Sequence, residues 1–161
     1  MQKGFKAILG KGLCEGYMGK TARGKVDRAG FTVETSDYKG PEGIYHDEWA
    51  AIQNGGGQEL VETSDGEKAT RVYAGGNLPQ EELVKLGTTE EEVIQKLLFF
   101  VNEAGEKTRQ DTDTESTDGD WKYNYKVLDE EKEIPLVVGK ESIFYKDTLV
   151  FVHFHINSPI K

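Results

Sequence analysis

Residue types able to do chemistry gather near the end of the chain, in Asp147-Thr-Leu-Val-Phe-Val-His-Phe-His-Ile-Asn157. A strand sends alternate side chains to opposite faces, so Val150, Val152, Phe154 and Ile156 share one face and Leu149, Phe151, His153 and His155 the other. The first set reads as hydrophobic core. The second is too apolar for a solvated face, yet it carries two imidazoles about 7 Å apart. That spacing suits a shared hydrogen-bond partner, proton transfer or a single metal ion. A strand of this kind belongs between a core and a pocket or interface.

His46 and Glu48 alternate in the same way nearer the start. Three histidines and a carboxylate would suit zinc or iron if the two strands met. Pocket-wall and structural histidines are the commoner outcome, so no metal and no cofactor is expected. Glu59 and Glu141 fall at matching points of two similar segments, and a facing pair would give a general acid and a general base. Aromatic residues that accompany the histidines on strands are Trp49, Tyr73, Trp121, Tyr123, Tyr125 and Phe151. Cys14 stands beside Glu15 with no cation fixed near it, so nothing marks it as a nucleophile. Glu15-Gly-Tyr-Met-Gly-Lys-Thr21 suggests a phosphate loop, but Cys14 occupies the position of the required first glycine.

The function expected from these residues is small-molecule binding or sensing, in a pocket of His153, His155, Phe151, His46, Trp49, Tyr73, Trp121, Tyr123 and Tyr125. One alternative is a small hydrolase or isomerase using a histidine with Glu59 or Glu141. Another is a homodimer whose aromatic strand face is the interface. A net charge of −9 argues against nucleic acid or an anionic membrane as partner, since both need a basic footprint. One cysteine excludes an internal disulfide. No apolar run approaches the roughly 20 residues that span a bilayer, and no signal peptide is visible. A cytoplasmic protein is expected.

These side chains need a frame. Residues 3–14 place Phe5, Ile8, Leu9 and Leu13 near helical spacing, despite Gly10 and Gly12. Strands are expected at 44–52, 58–63 and 68–74, joined by glycine-rich turns. Thr89 and Glu92 stand at capping-box spacing, and Val93, Ile94, Leu97, Leu98 and Val101 form an apolar stripe that predicts a helix over 89–104. Residues 106–120 contain no large apolar side chain, which predicts a mobile acidic loop. A second set of strands follows at 121–128, from 134 or 137 to 145, and at 149–156.

The halves 3–76 and 77–161 therefore look alike, which predicts a single domain with an internal duplication. The expected fold class is α+β: a curved antiparallel sheet of about six strands, built from two helix-plus-three-strand units and packed on one long helix. Tyr45-His-Asp47, Gly57-Gln-Glu-Leu-Val61, Val72-Tyr-Ala-Gly-Gly76 and Phe154-His-Ile-Asn-Ser-Pro-Ile-Lys161 resemble an uncharacterised prokaryotic domain family. That domain of unknown function occurs alone or fused behind helix-turn-helix regulators. The likeness covers residues 5–161 and implies a sensing or small-molecule-binding module, without catalytic residues to carry over.

Overall fold

The computed structural model describes residues 3–17, 23–50 and 53–161. Most of the glycine-rich motif ending at Thr21, and the Ala51-Ile52 end of the first expected strand, lie outside the described residues. The chain opens with helix α1 (Lys3–Lys11), which runs on into a π-helical turn, Gly12–Tyr17. Five strands follow: β1 (Gly24–Arg28), β2 (Phe31–Gly40), β3 (Gly43–Ala50), β4 (Asn54–Thr63) and β5 (Lys68–Asn77). Two helices come next, α2 (Gln80–Leu86) and α3 (Glu90–Ala104). The chain closes with β6 (Thr114–Asp118), β7 (Trp121–Glu131), β8 (Leu136–Tyr145) and β9 (Thr148–Ile160).

These strands form one antiparallel sheet in the order β1-β2-β3-β4-β5-β9-β8-β7-β6. The expectation of six strands on one long helix is overturned, because nine strands and three helices stand among the described residues. Strands β1, β2 and β6 were missed because they are polar, and strands at or next to a sheet edge need backbone pairing more than apolar burial. α3 does form, with the Thr89 hydroxyl accepting from Glu92 N at 3.2 Å and Glu92 returning the bond. It packs Val93, Leu97, Phe100 and Val101 against Tyr123, Tyr125, Ile143 and Phe151. α1 covers the other half, packing Phe5, Ile8 and Leu9 on Tyr45, Val61 and Ala69. Gly12, the first residue of the π-helical turn after it, permits close approach: a Cβ there would lie 2.1 Å from Tyr45 Cγ. No described helix is long and apolar enough to cross a membrane.

Two further corrections follow. Val152, Phe154 and Ile156 are not core; they lie on the open side of the sheet, where Phe154 is 47% and Ile156 41% exposed. The inner, helix-covered face instead holds Phe151, His153, His155 and Asn157. A bulge between Ile143 and Phe144 breaks the alternation, so Val150 and Phe151 are both buried while Leu149 is exposed. The second correction concerns residues 106–120. Thr108, Arg109 and Gln110 are buried, and 114–118 is strand β6. Apolar content was the wrong criterion, because this segment is held by polar contacts.

Gly12→Ala is expected to cost about 1–3 kcal/mol by forcing α1 off Tyr45, measured by urea denaturation. An unchanged midpoint would show that α1 does not press on that ring.

Candidate functional site

Cross-strand register determines which side chains meet. On the inner face one row runs Asp47-Glu59-Arg71-Asn157-Val137 across β3, β4, β5, β9 and β8. The next runs Trp49-Gly57-Tyr73-His155-Gly139. A third runs Gly75-His153-Glu141-Tyr125. Three rows thus bring three carboxyls, a guanidinium, two imidazoles and two phenols to the centre of one covered sheet face. The glycines make room for the rings. A Cβ at Gly57 would lie 2.5 Å from the Tyr73 hydroxyl, and one at Gly139 would lie 1.9 Å from that of Tyr125.

The remaining cation comes from outside the sheet. Arg109, at φ 59°, follows α3 and reaches down onto Glu141, with Nε to Oε1 and Nη2 to Oε2 both at 2.8 Å. Tyr123 also donates to Glu141 Oε1 at 2.8 Å, and its oxygen meets the Thr108 hydroxyl. In the other half Arg71 holds Glu59 through Nε and Nη2, the latter at 2.6 Å, and Tyr45 donates to Glu59 Oε1 at 2.8 Å. The two ion pairs are joined, because Arg71 Nη1 donates to the Arg109 carbonyl at 3.1 Å. Tyr125 donates to the Gln110 carbonyl at 2.8 Å. The loop is therefore pinned by its own backbone to both halves of the sheet.

Electrostatics follow from this layout. Burial alone would raise Glu59 and Glu141, but Arg71 and Arg109 hold the first below its ordinary value and the second well below it. A carboxylate gripped by a guanidinium fork is a poor proton acceptor, which weighs against Glu59 and Glu141 as acid and base. Asp47 is different. It has no guanidinium of its own, and burial with the charge of Glu59 pushes it up to about 7, although Tyr73 donates to Oδ1 at 3.0 Å. Asp47 is thus the carboxyl best placed for proton transfer near neutral pH, and no apolar pattern marked it. Burial takes His153 down to about 3 and His155 to about 4, so both imidazoles are neutral.

The sequence-predicted residues divide into three groups. His153, His155, Tyr73, Tyr125 and Glu141 come together: the Tyr73 ring centre lies 5.4 Å from that of His153 and 5.9 Å from that of His155, and Tyr125 stands 6.1 Å from His155. Phe151 packs on His153 at 4.5 Å. Tyr123 belongs to the Glu141 pair, and Trp49 neighbours Tyr73 across Gly57 with Arg23 stacked 5.7 Å above it. Trp121 lies apart, against Tyr145 at 4.5 Å and near Lys96 of α3. His46 is on the wrong face, since it alternates with Tyr45 and Asp47. It bonds Asp37 at 2.7 Å and Glu48 at 3.2 Å, which together raise it despite partial burial. Burial and Glu15 raise Cys14, the opposite of an activated thiol.

Sequence reading missed Arg71, Arg109, Asp47 and Asn157. Arg71 carried a usable signal, because it alternates in phase with Tyr73 and is the one charged residue between Ala69 and Gly76.

The polar layer is not fully satisfied. His153 Nδ1, both ring nitrogens of His155 and Asn157 Oδ1 are buried and find no hydrogen-bond partner among the described residues. His155 Nε2 lies 3.5 Å and His153 Nδ1 3.9 Å from Glu141 Oε2. The fold and site define a nine-stranded antiparallel sheet with a buried ionic layer on its helix-covered face. Comparison with family models, with curated proteins and with solved structures finds no match.

Removing one partner of a buried pair strands the other, so Arg109→Ala is expected to destabilise by about 3–5 kcal/mol. Arg109→Lys should recover less than half of that loss, because an ammonium cannot make the fork. Urea denaturation of the three proteins measures both effects. Asp47 gives a pH prediction. Its folded value of about 7 exceeds its ordinary 3.8, so the folded state binds the proton more tightly. Its contribution is complete below pH 4 and is lost as pH rises through 7, on the order of 4 kcal/mol. Glu59 and Glu141 act oppositely, losing their contribution as pH falls below their ordinary 4.5. Asp47→Asn should therefore flatten the fall in stability between pH 5 and pH 8. An identical slope in both proteins would show that Asp47 is not held protonated.

Proposed function

We propose that the protein is a small-molecule-binding or sensing module whose ligand is held by His153 and Tyr73, over the floor formed by His155, Glu141 and Tyr125. The observation that carries this reading is the set of unpartnered imidazole nitrogens in the buried layer. Each buried polar atom left without a partner costs about 1–3 kcal/mol. A ligand that supplies the missing bond recovers this on binding. The His153 side chain is 14% exposed and Tyr73 is partly exposed, so the edge of the layer nearest solvent lies on their side. Neutral imidazoles and a phenol favour a polar ligand with both donors and acceptors. A cytoplasmic sensing role accords with the domain family that the sequence resembles.

The binding site sits where two halves of a duplicated unit meet. Register supports the duplication: Tyr45, Glu59, Arg71 and Tyr73 stand in β3, β4 and β5 as Tyr123, Glu141, His153 and His155 stand in β7, β8 and β9. Tyr73 and His155 are then equivalent, and they pair with each other across β5 and β9. The unit is a helix with four strands, β2–β5 and β6–β9, rather than three.

A thermal-shift and ligand-observed NMR screen of small polar compounds tests the reading. Hits should bind at least about 10-fold more weakly to Tyr73→Phe and to His153→Leu, since each loses one polar contact worth about 1.4 kcal/mol or more. Both variants keep the ring or bulk that packs. Hits that bind wild type and both variants equally would remove this site from consideration.

A further inference from the structure

We infer that Glu141, His153 and His155 form a site for one divalent first-row transition ion of the zinc or ferrous kind. This names a ligand for the site proposed above and rests on that reading. One ligand atom from each residue lies within 4.8 Å of the others. Glu141 Oε2 is 3.5 Å from His155 Nε2 and 3.9 Å from His153 Nδ1. Ligands about 2.0–2.2 Å from a tetrahedral ion lie roughly 3.3–3.6 Å apart, so closing on a cation brings the ligand atoms together by at most about 1.5 Å.

Lone-pair accounting singles out this oxygen. Oε1 of Glu141 accepts from both Arg109 Nε and Tyr123, which uses its two lone pairs. Oε2 accepts from Arg109 Nη2, and its other lone pair faces the two imidazoles, with His155 Nε2 3.5 Å and His153 Nδ1 3.9 Å away. Arg109 and Tyr123 then orient the ligating carboxylate from behind, as outer-shell partners of metal ligands commonly do. The decisive residue is His155. Its side chain is fully buried, Nδ1 finds no hydrogen-bond partner among the described residues, and Nε2 has only the long contact to Glu141 Oε2 at 3.5 Å. A purely structural histidine at that depth usually makes at least one well-formed hydrogen bond.

Space agrees with a cation. Gly75 opposite His153 makes room for that ring against the β5 backbone. A Cβ on Gly75 would lie 2.7 Å from His153 Cδ2. Two neutral imidazoles and one carboxylate are donors typical of zinc and non-haem iron, and they leave positions for a small oxygen- or nitrogen-donor ligand. The half-buried edge at His153 and Tyr73 is the entry. His46 with Asp37 and Glu48 lies on the open face and serves as the control.

The test titrates chelator-stripped protein with Zn2+ by calorimetry and with Co2+ by visible absorption. One equivalent should bind, with the intense d–d bands of a four- or five-coordinate ion. His153→Leu should weaken binding by about 100-fold or more, and His46→Gln should leave it unchanged. Should His153→Leu fail to fold, imidazole 15N shifts of the wild-type protein decide: Zn2+ must move His153 and His155 and spare His46. No binding at millimolar Zn2+, or binding lost only in His46→Gln, overturns the inference. Repeating the small-molecule screen in chelator separates the two readings. Hits that persist without metal, in a protein that binds no Zn2+, remove the cation site and keep the pocket.

Discussion

The bond on which the rest of the structure depends joins Arg71 to the Arg109 carbonyl. Each arginine already serves a buried glutamate in its own half, Arg71 on Glu59 and Arg109 on Glu141. By donating also to the Arg109 backbone, Arg71 turns two separate ion pairs into one network spanning the seam between β5 and β9. That seam needs such a link. The sheet consists of two meanders, β1–β5 and β6–β9, whose last strands pair, and the apolar residues form two clusters rather than one. α1 owns one cluster and α3 the other. What lies between them is polar.

A polar seam is a costly way to join two cores. Desolvating two ion pairs takes back much of their mutual attraction, and hydrophobic replacements are often as stable. The network does something that apolar packing would not, because its geometry admits one register. Glu59 meets Arg71 only if β4 and β5 pair as they do, and Glu141 meets Arg109 only if the loop after α3 lies across β8 and β9. A slip of one residue would turn the carboxylates to the open face and strand both guanidiniums. The positive φ of Arg109 fits the same logic, since surrounding contacts hold a backbone conformation that a free loop would leave.

Strands whose side chains alternate between apolar and polar were legible in the sequence: the segments expected at 44–52, 58–63, 68–74, 121–128, 134–145 and 149–156 coincide with β3, β4, β5, β7, β8 and β9 over the described residues. The capped helix was legible for the same reason, a sharp Thr89–Glu92 signal followed by an apolar stripe. What failed was the equation of apolar with inside. On β9 the more apolar face, with Val152, Phe154 and Ile156, is the open one, and the face with two histidines and Asn157 is buried. Residues 106–120 failed likewise, because Thr108, Arg109 and Gln110 enter the interior through hydrogen bonds that hydropathy does not register. The site was half legible. Its histidines and glutamates stood out as residue types, whereas Arg71, Arg109 and Asp47 acquire meaning only from cross-strand register, and a single sequence does not supply register across a long connection.

The asymmetry between the halves is the last step. Glu59 finds its guanidinium directly across the strand pair, at Arg71. The residue directly across from Glu141 is His153, an imidazole that cannot form a fork. Arg109 takes over that work from outside the sheet, and this releases His153 from structural duty. His155 is released as well: Tyr73, its partner across β5 and β9, gives its hydroxyl proton to Asp47, whereas Gly139 offers His155 nothing opposite. One half of the layer thus has its carboxylate and guanidinium engaged with each other, while the other keeps two neutral imidazoles beside Glu141. The half whose carboxylate is held from outside the sheet is the one with groups left over for chemistry.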